Sequence, residues 1–487
     1  MSNPKPMTPD VPVIDYADPP PAGTIQSHRA ERVRRLKRTF VSSLVMRPLA
    51  VVTPFVIAPL FLRYLGSERY GLYGTVISMA GFIGMSNAGI GLGLINKLTD
   101  CHVSQDRVLA RRYVSSLNFA LLLIAIAGIA LASIAVPLIH WKSVLKIKGS
   151  LAAAETPWAI WVTAIFTFLG VASGVPRAVY VAYQDLEINN YWDGASKVVV
   201  LSGCIIAAYT PWGLIAVAFA VAGVPTLMRI ANNISLFYWE KPWLRPSLKL
   251  FDASLLRSAM VQGICLFILE LAMWVLFASD NTLISMLLGP QYVTNYSLVG
   301  TLFALSYGVF MMALMPLWPA YGEAVRRGDF AWVKRGVRLS LLLVCGGMIA
   351  MGAILYFFDA PIFQLWMRRP IVVSRSLILA MTATFVLRGW VDCRSMVLNP
   401  ANILWPQIWF FAVHAVLNII GAILLTPWMG VEGVAWATPL AALLTSAWGY
   451  PWMMRRYFRD AEAGIPMAGG DVAGFEVTGP PEMNPVV

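Results

Sequence analysis

The chain has 487 residues, of which 58% are hydrophobic and only 13% charged, with a net charge of +12 and a mean hydropathy of +0.67. Soluble domains carry about 25% charged residues, so the composition excludes a soluble globular protein. Apolar runs that continue without alternation exclude a transmembrane β-barrel. The excess of Lys and Arg then reads as basic cytoplasmic loops of a polytopic membrane protein rather than as a nucleic-acid surface.

Residues 1–28 are rich in proline and polar side chains and read as disordered. The basic run Arg29 to Arg38 follows and leads into an apolar stretch too long for a signal-peptide core. Residues 1–39 are therefore expected to form a disordered basic cytoplasmic tail ahead of an uncleaved first helix. Windows of about 20 apolar residues then predict twelve spans, at 40–62, 72–95, 117–139, 157–182, 194–210, 212–236, 258–286, 294–318, 337–358, 373–397, 404–426 and 431–453. They divide into an N-terminal six-helix bundle (40–239), a cytoplasmic linker (240–257) with Pro242 and Pro246, and a C-terminal six-helix bundle (258–455). The Gly- and Pro-rich residues 456–487 read as a second disordered tail. The positive-inside rule places both termini in the cytoplasm. The expected fold is an all-α integral membrane protein of two pseudo-symmetric bundles.

Two echoes support duplication. Leu65-Gly66 is followed seven residues later by Tyr73, and Leu288-Gly289 in the same way by Tyr296; Thr210-Pro211-Trp212-Gly213 returns as Thr426-Pro427-Trp428-Met429-Gly430. Six helices per copy return the chain to its starting side, so the copies are expected to be related by an axis along the membrane normal, with substrate in the cleft between them. Pro48, Pro54 and Pro59 in the first span, Gly174 and Pro176 in the fourth, Gly223 and Pro225 in the sixth, and Pro316 and Pro319 at the end of the eighth predict bends or breaks.

The five cysteines and four histidines show no metal-ligand spacing, no cofactor is expected, and no phosphate-binding loop or hydrolase motif stands in a credible context. Charges inside spans are costly, about 2.5–3.5 kcal/mol at a helix centre, and so select candidates. Arg47, Arg177, Arg229, Arg388 and Arg394 lie in spans, nearly all in the expected cytoplasmic half. Snorkelling to the inner headgroups competes with a cationic vestibule whose planar guanidinium groups fit phosphate oxygens. Arg388 and Asp392 are four apart and can also pair along their helix. Glu270 and Asp280 are the carboxylates of the seventh span. A bare carboxylate in an apolar setting is a natural site for H+ or Na+; for Asp280, nearer the external end, a turn-stabilising role competes.

The segment Pro59 to Tyr73, the glycines of Asn87 to Gly93, Asp280-Asn281 with Leu288-Gly289 and Tyr296, and Pro316 to Asp329 resemble bacterial polysaccharide-lipid flippases of the multidrug/oligosaccharidyl-lipid/polysaccharide exporter superfamily. The resemblance spans roughly residues 36–455. It implies a two-lobed bundle in the bacterial inner membrane that flips an undecaprenyl-pyrophosphate-linked oligosaccharide by alternating access driven by an ion gradient, for lipopolysaccharide or exopolysaccharide synthesis. Its implied partners are that lipid-linked oligosaccharide, membrane lipids, a coupling H+ or Na+ and the polysaccharide polymerase and assembly proteins, with no nucleic acid. A lipid II flippase and a multidrug or cation antiporter of the same superfamily are the competing transporters. A polyprenol-dependent polymerase is the competing enzyme, and the 140–156 loop is short for it.

Overall fold

The computed structural model describes residues 22–84, 88–258, 268, 271, 279–315, 317–401 and 403–462. Among the described residues the chain is all helical, and seven helices are long and apolar enough to cross a membrane. In chain order the first half comprises α1 (Ala22–Gly84), α2 (Ala88–Val103), α3 (Arg107–Leu138), the single turn α4 (Trp141–Val144), α5 (Ser150–Ala172), α6 (Val175–Ala182), α7 (Leu186–Ala207), α8 (Gly213–Ala218) and α9 (Val224–Ser235). The second comprises α10 (279–287), α11 (Pro290–Leu314), α12 (Leu317–Arg326), α13 (Phe330–Met367), α14 (Arg375–Leu398), α15 (Trp405–Met429), α16 (Val431–Leu444) and α17 (Ser446–Glu462). Large apolar side chains such as Leu123, Leu131 and Leu138 point outward from α3. That arrangement is stable only where lipid replaces water, since helix backbones satisfy their own polar groups there.

Several boundaries differ from the expected ones. The helix begins at Ala22, so residues 22–39 are not a disordered tail. Their Ala, Glu, Arg and Lys residues are good helix formers, and no Gly or Pro separates them from the first span. Residues 456–462 likewise continue α17 rather than opening a tail. Pro48, Pro54 and Pro59 leave α1 unbroken, whose one non-helical residue is Gly66. Pro319 lies inside α12 and Pro316 outside the described residues, whereas in the fourth and sixth spans the breakers act as read. The fourth span divides at Ser173–Gly174, and a π-turn at Phe219–Gly223 precedes Pro225. The last span divides at Thr445.

The two echoes reappear as backbone geometry. Gly66 (φ 75°), Gly213 (φ 54°), Gly289 (φ 115°) and Gly430 (φ 63°) are four of the five glycines with positive φ among the described residues, a conformation that costs other residues about 1–2 kcal/mol. Each therefore marks a sharp turn between helices. The helix pairs around Gly66 and Gly289 also pack on one another. Thr294 Oγ1 donates to the Ser67 carbonyl at 2.7 Å, while Gly71 lies so close to the Pro290 carbonyl that a Cβ there would stand 1.6 Å from its oxygen. Ser67 and Pro290 each follow their glycine, and Gly71 and Thr294 each come five residues after it. The same pair of positions therefore meets twice with roles exchanged, which is the signature of a two-fold interface. One apolar core crosses the seam, joining Phe61, Leu65 and Tyr70 to Leu298, Phe303 and Phe385.

At the same end Glu155 accepts from Leu214 N at 2.9 Å and pairs with Arg69 at 3.1 Å, while Tyr64 bonds both the Thr210 carbonyl and Gly213 N. These contacts pin the Gly213 turn to α1. At the opposite end lies the linker, which does not hang free. Lys241 pairs with Asp185 at 2.8 Å, Arg111 donates to the Arg245 carbonyl, Ser115 and Ser116 accept from Ser247 N and Asp252 N, and Arg112 pairs with Asp252 at 2.8 Å. The segment 240–252 is thus stapled along α3 and the start of α7 as part of the first half.

Candidate functional site

A cavity of about 340 Å³ opens on the seam between the halves. Pro54, Ile57 and Ala58 of α1 line it before the Gly66 break, and Tyr70, Tyr73, Gly74 and Ser78 after it; Asp280 and Asn281 come from α10, Tyr296, Ser297 and Thr301 from α11, and Thr384, Phe385 and Arg388 from α14. The two glycine turns create it, since each sends a second helix back along the first and all four line the space. The wall mixes aromatic and apolar side chains with hydroxyl, amide and charged groups, a make-up suited to a ligand with both polar and apolar parts.

Asp280 is 4% exposed. Its Oδ2 accepts from the Tyr296 hydroxyl at 2.5 Å and lies 3.5 Å from Thr438 Oγ1. Its Oδ1 lies 3.4 Å from Asn418 Nδ2, and Thr438 also donates to Asn418 Oδ1 at 3.1 Å. The Gly289 turn is closed instead by backbone bonds from Leu288 N and Gly289 N to the Ile284 carbonyl. Turn stabilisation is therefore not the role of Asp280: its carboxylate serves a polar cluster contributed by α10, α11, α15 and α16. Carboxylate, amide and hydroxyl oxygens gathered at one buried point are the donor set of a hard monovalent cation, or of a proton held by the carboxylate. From Thr438 the network continues through its carbonyl to His414 Nε2 at 3.1 Å, and through His414 Nδ1 to Ser446 Oγ at 2.9 Å.

Of the five arginines expected to share one vestibule, the four whose side chains are described occupy three places. Arg388 lines the central cavity, and the pairing expected along its helix is present: Nε lies 3.6 Å from Asp392 Oδ2, with the guanidinium 5.0 Å above the Tyr307 ring. Arg177 on α6 and Arg229 on α9 are exposed and close enough to interact with each other, Asp193 also lying within electrostatic reach of Arg229. They form a separate cluster on the first half, where the small Gly170 leaves room for the Arg229 guanidinium. Arg394 is buried, stacked 3.7 Å above the Trp390 ring and bonded to the Trp390 carbonyl at 2.7 Å; it is not among the residues lining the central cavity. The side chain of Arg47, and Glu270 altogether, lie outside the described residues.

Sequence reading passed over Asn418, Thr438, His414 and Tyr307. A usable signal existed for two of them. His414 and Asn418 are four apart in the apolar middle of the Trp405–Met429 helix, which puts both on one helix face. Tyr307 and Thr438 carry no such local mark, because their partners come from distant segments.

Residues 36–325 match the model of a family described as polysaccharide biosynthesis protein. A protein of Salmonella typhimurium named as a putative O-antigen transporter is 22% identical over 395 residues, 80% of this chain and 89% of that one. The fold is shared with a solved inward-facing multidrug resistance MATE family transporter of the MOP superfamily, with a TM-score of 0.71 at 16% identity, covering 89% of this chain and 99% of that one. It is shared also with the lipid II flippase MurJ in an inward closed conformation, with a TM-score of 0.64 at 15% identity, covering 87% and 90%.

Proposed function

The chain belongs to the family of polysaccharide biosynthesis proteins, and from that premise we propose that it flips an undecaprenyl-pyrophosphate-linked oligosaccharide repeat unit across the bacterial inner membrane, for lipopolysaccharide or exopolysaccharide assembly. One observation carries the reading. A single cavity on the seam of two similar helix pairs holds both a guanidinium, Arg388, and a buried carboxylate, Asp280. Arg388 supplies the planar fork that fits phosphate oxygens, and the tyrosines and Asn281 offer stacking and hydrogen-bonding surface to sugars. A volume of about 340 Å³ lies at the small end of ligand sites. It accommodates the pyrophosphate end of the substrate, while the repeat unit requires a wider opening and the polyprenyl tail stays in lipid beside the seam.

In this reading the chain crosses the membrane twelve times with both termini in the cytoplasm. Its bundles span about residues 40–239 and 258–455, and the Gly66–Gly289 end faces the periplasm. Lys146 Nζ donates to the Leu287 carbonyl at 2.5 Å and Thr294 to that of Ser67, so the conformation described is closed there. Arg177 and Arg229 form a way-station for the headgroup on the first half, with Arg47 near the entrance and Arg394 acting indirectly through Trp390. Asp280, with Asn418 and Thr438, takes the coupling H+ or Na+, and Glu270 is a second carboxylate on the same span. Polysaccharide polymerase and assembly proteins are the expected partners downstream.

The test uses purified protein in liposomes carrying a fluorescent undecaprenyl-pyrophosphate oligosaccharide, with an impermeant quencher reporting leaflet and an imposed H+ or Na+ gradient. Gradient-stimulated flipping that Arg388→Ala abolishes supports the reading. Uptake of organic cations by a folded protein that flips no lipid overturns it in favour of a drug antiporter.

A further inference from the structure

The wall of the central cavity is itself duplicated, and the two copies differ at neighbouring positions. Ser78 and Thr301, each twelve residues after its turn glycine, both carry a hydroxyl. Asp280 and Asn281, nine and eight residues before Gly289, correspond instead to Ile57 and Ala58 before Gly66, and Ser297, eight residues after Gly289, corresponds to Gly74. All of these residues line the cavity. The first copy thus builds the same wall without the polar groups, so the fold does not require Asp280, Asn281 and Ser297 for its shape.

The added groups join α10 to α11 in two adjacent rungs. Tyr296 donates to Asp280 at 2.5 Å, and the next residue, Ser297, donates to Asn281 Oδ1 at 3.2 Å. Successive side chains on a helix point about 100° apart. Asp280 therefore reaches toward Asn418 and Thr438, whereas Asn281 reaches across the seam, where its Nδ2 donates to Ser78 Oγ at 3.0 Å. The corresponding pair of the other copy, Ala58 with Thr301, has no amide to offer. One member of the Asp280-Asn281 unit thus sits in the buried polar cluster, and the other holds the first half of the molecule.

We infer that Asn281 carries the charge state of Asp280 to the seam, with its hydrogen bond to Ser78 as the latch. The inference rests on the ion-coupled flippase reading and supplies the link between ion and movement. An ionised Asp280 takes a strong, charge-assisted bond from Tyr296, which ties α10 to α11 and keeps Asn281 against Ser78. A proton or cation taken up by the carboxylate weakens that bond. The helix α10 is then released to move, and Asn281 leaves Ser78 with it. The latch is shut without the ion and open with it. A single neutral hydrogen bond suits this task, because its net worth is small and one ion's preference between two states can outweigh it. Asn281 is on this account a positioning residue, acting through the contact between the halves.

Holding the ion and responding to it can be measured separately. The parent protein has its native cysteines replaced and a cysteine in place of Ala304, on the cavity wall. In right-side-out membrane vesicles an impermeant reagent labels that cysteine, with Na+ exchanged for choline or with the pH lowered. In the parent the ion is expected to raise labelling. Asn281→Ala installs the residue that the first copy already carries. It is expected to label about fivefold faster without the ion, from the net strength of one hydrogen bond, and to gain nothing further when the ion is added. Its flipping should become indifferent to an imposed H+ or Na+ gradient, while the ion still raises its melting temperature; Asp280→Asn should lose that thermal shift as well. Ser78→Ala cuts the same bond from the other side, is expected to behave like Asn281→Ala, and serves if the latter fails to fold. Labelling and flipping that respond to the ion in these variants as in the parent, or a thermal shift lost in Asn281→Ala, would overturn the latch. A parent protein whose labelling and flipping ignore both ions would instead overturn the coupling reading of Asp280, and the latch with it.

Discussion

The Asp280 oxygens accept from three helices at once. In low dielectric such a network is strong when complete and costly when broken. Asp280→Asn keeps the shape but turns one acceptor oxygen into a donor that faces another donor, so a loss of about 1–3 kcal/mol of stability is expected, read by thermal melting in detergent. Its functional effect is expected to be sharper. Flipping should persist at a low rate and lose its stimulation by an imposed H+ or Na+ gradient, with affinity for the lipid little changed; stimulation that survives in the Asn variant would remove Asp280 from the coupling role. Asp280 was legible in the sequence because a carboxylate inside an apolar span is conspicuous. Its partners were not. Asn418 lies 138 residues away and Thr438 158, and no spacing rule connects residues that meet only through tertiary packing. The arginines show the converse limit. Composition selected all of them, yet only the fold separates Arg388, in the cavity, from Arg394, stacked on Trp390.

At the scale of elements, glycine carries most of what could be read ahead. The Gly66 and Gly213 turns and their counterparts follow from short motifs, because positive φ is cheap only there. Gly66 has open space around it, so Gly66→Ala tests backbone strain alone and should cost about 1–2 kcal/mol. Gly71 has an ordinary helical backbone but no room beside the Pro290 carbonyl. Gly71→Ala must push the two halves apart, and should both destabilise more than Gly66→Ala in the same melting assay and raise labelling of a cysteine at Thr301 by an impermeant reagent from the periplasmic side. The linker, expected from its prolines to be no more than a connection between the halves, has its backbone and side chains held by α3. Asp252 anchors that docking, and hydrogen bonds from Ser254, aided by Arg112, hold its carboxyl below the ordinary value of 3.8. A depressed folded value means the carboxylate favours the docked form above the unfolded value, and the gain is lost as pH falls through the folded one. Hydrogen exchange over residues 240–257 should therefore rise as pH drops below about 4, beyond the intrinsic change in exchange rate, and Asp252→Asn should show raised exchange at neutral pH and no such step.

At the scale of the whole molecule, the duplication was legible and the conformation was not, for one reason. Helices and turns would be common to every state of the proposed alternating-access cycle, whereas the state would be decided by which few contacts cross the seam. In the described conformation those contacts include Thr294 with Ser67, Gly71 with Pro290, and Lys146 with the Leu287 carbonyl. The first two are exchanged by the two-fold relation of the helix pairs, so in the proposed transport cycle this end is expected to open or shut as a unit. A disulfide is a direct probe, since it requires Cα atoms closer than about 7 Å and the Thr294 side chain already reaches the Ser67 main chain at 2.7 Å. The paired substitution Ser67→Cys with Thr294→Cys, made after replacing the native cysteines, should oxidise readily in liposomes. If substrate leaves through this end, the oxidised protein should bind undecaprenyl pyrophosphate, flip none of it, and recover on reduction, while either single variant flips normally under oxidation. Flipping that continues with the clamp covalently shut would mean that the headgroup never passes between Ser67 and Thr294. The path would then have to run along the lipid-facing edge of the seam, and the closed end would be a fixed brace rather than a gate.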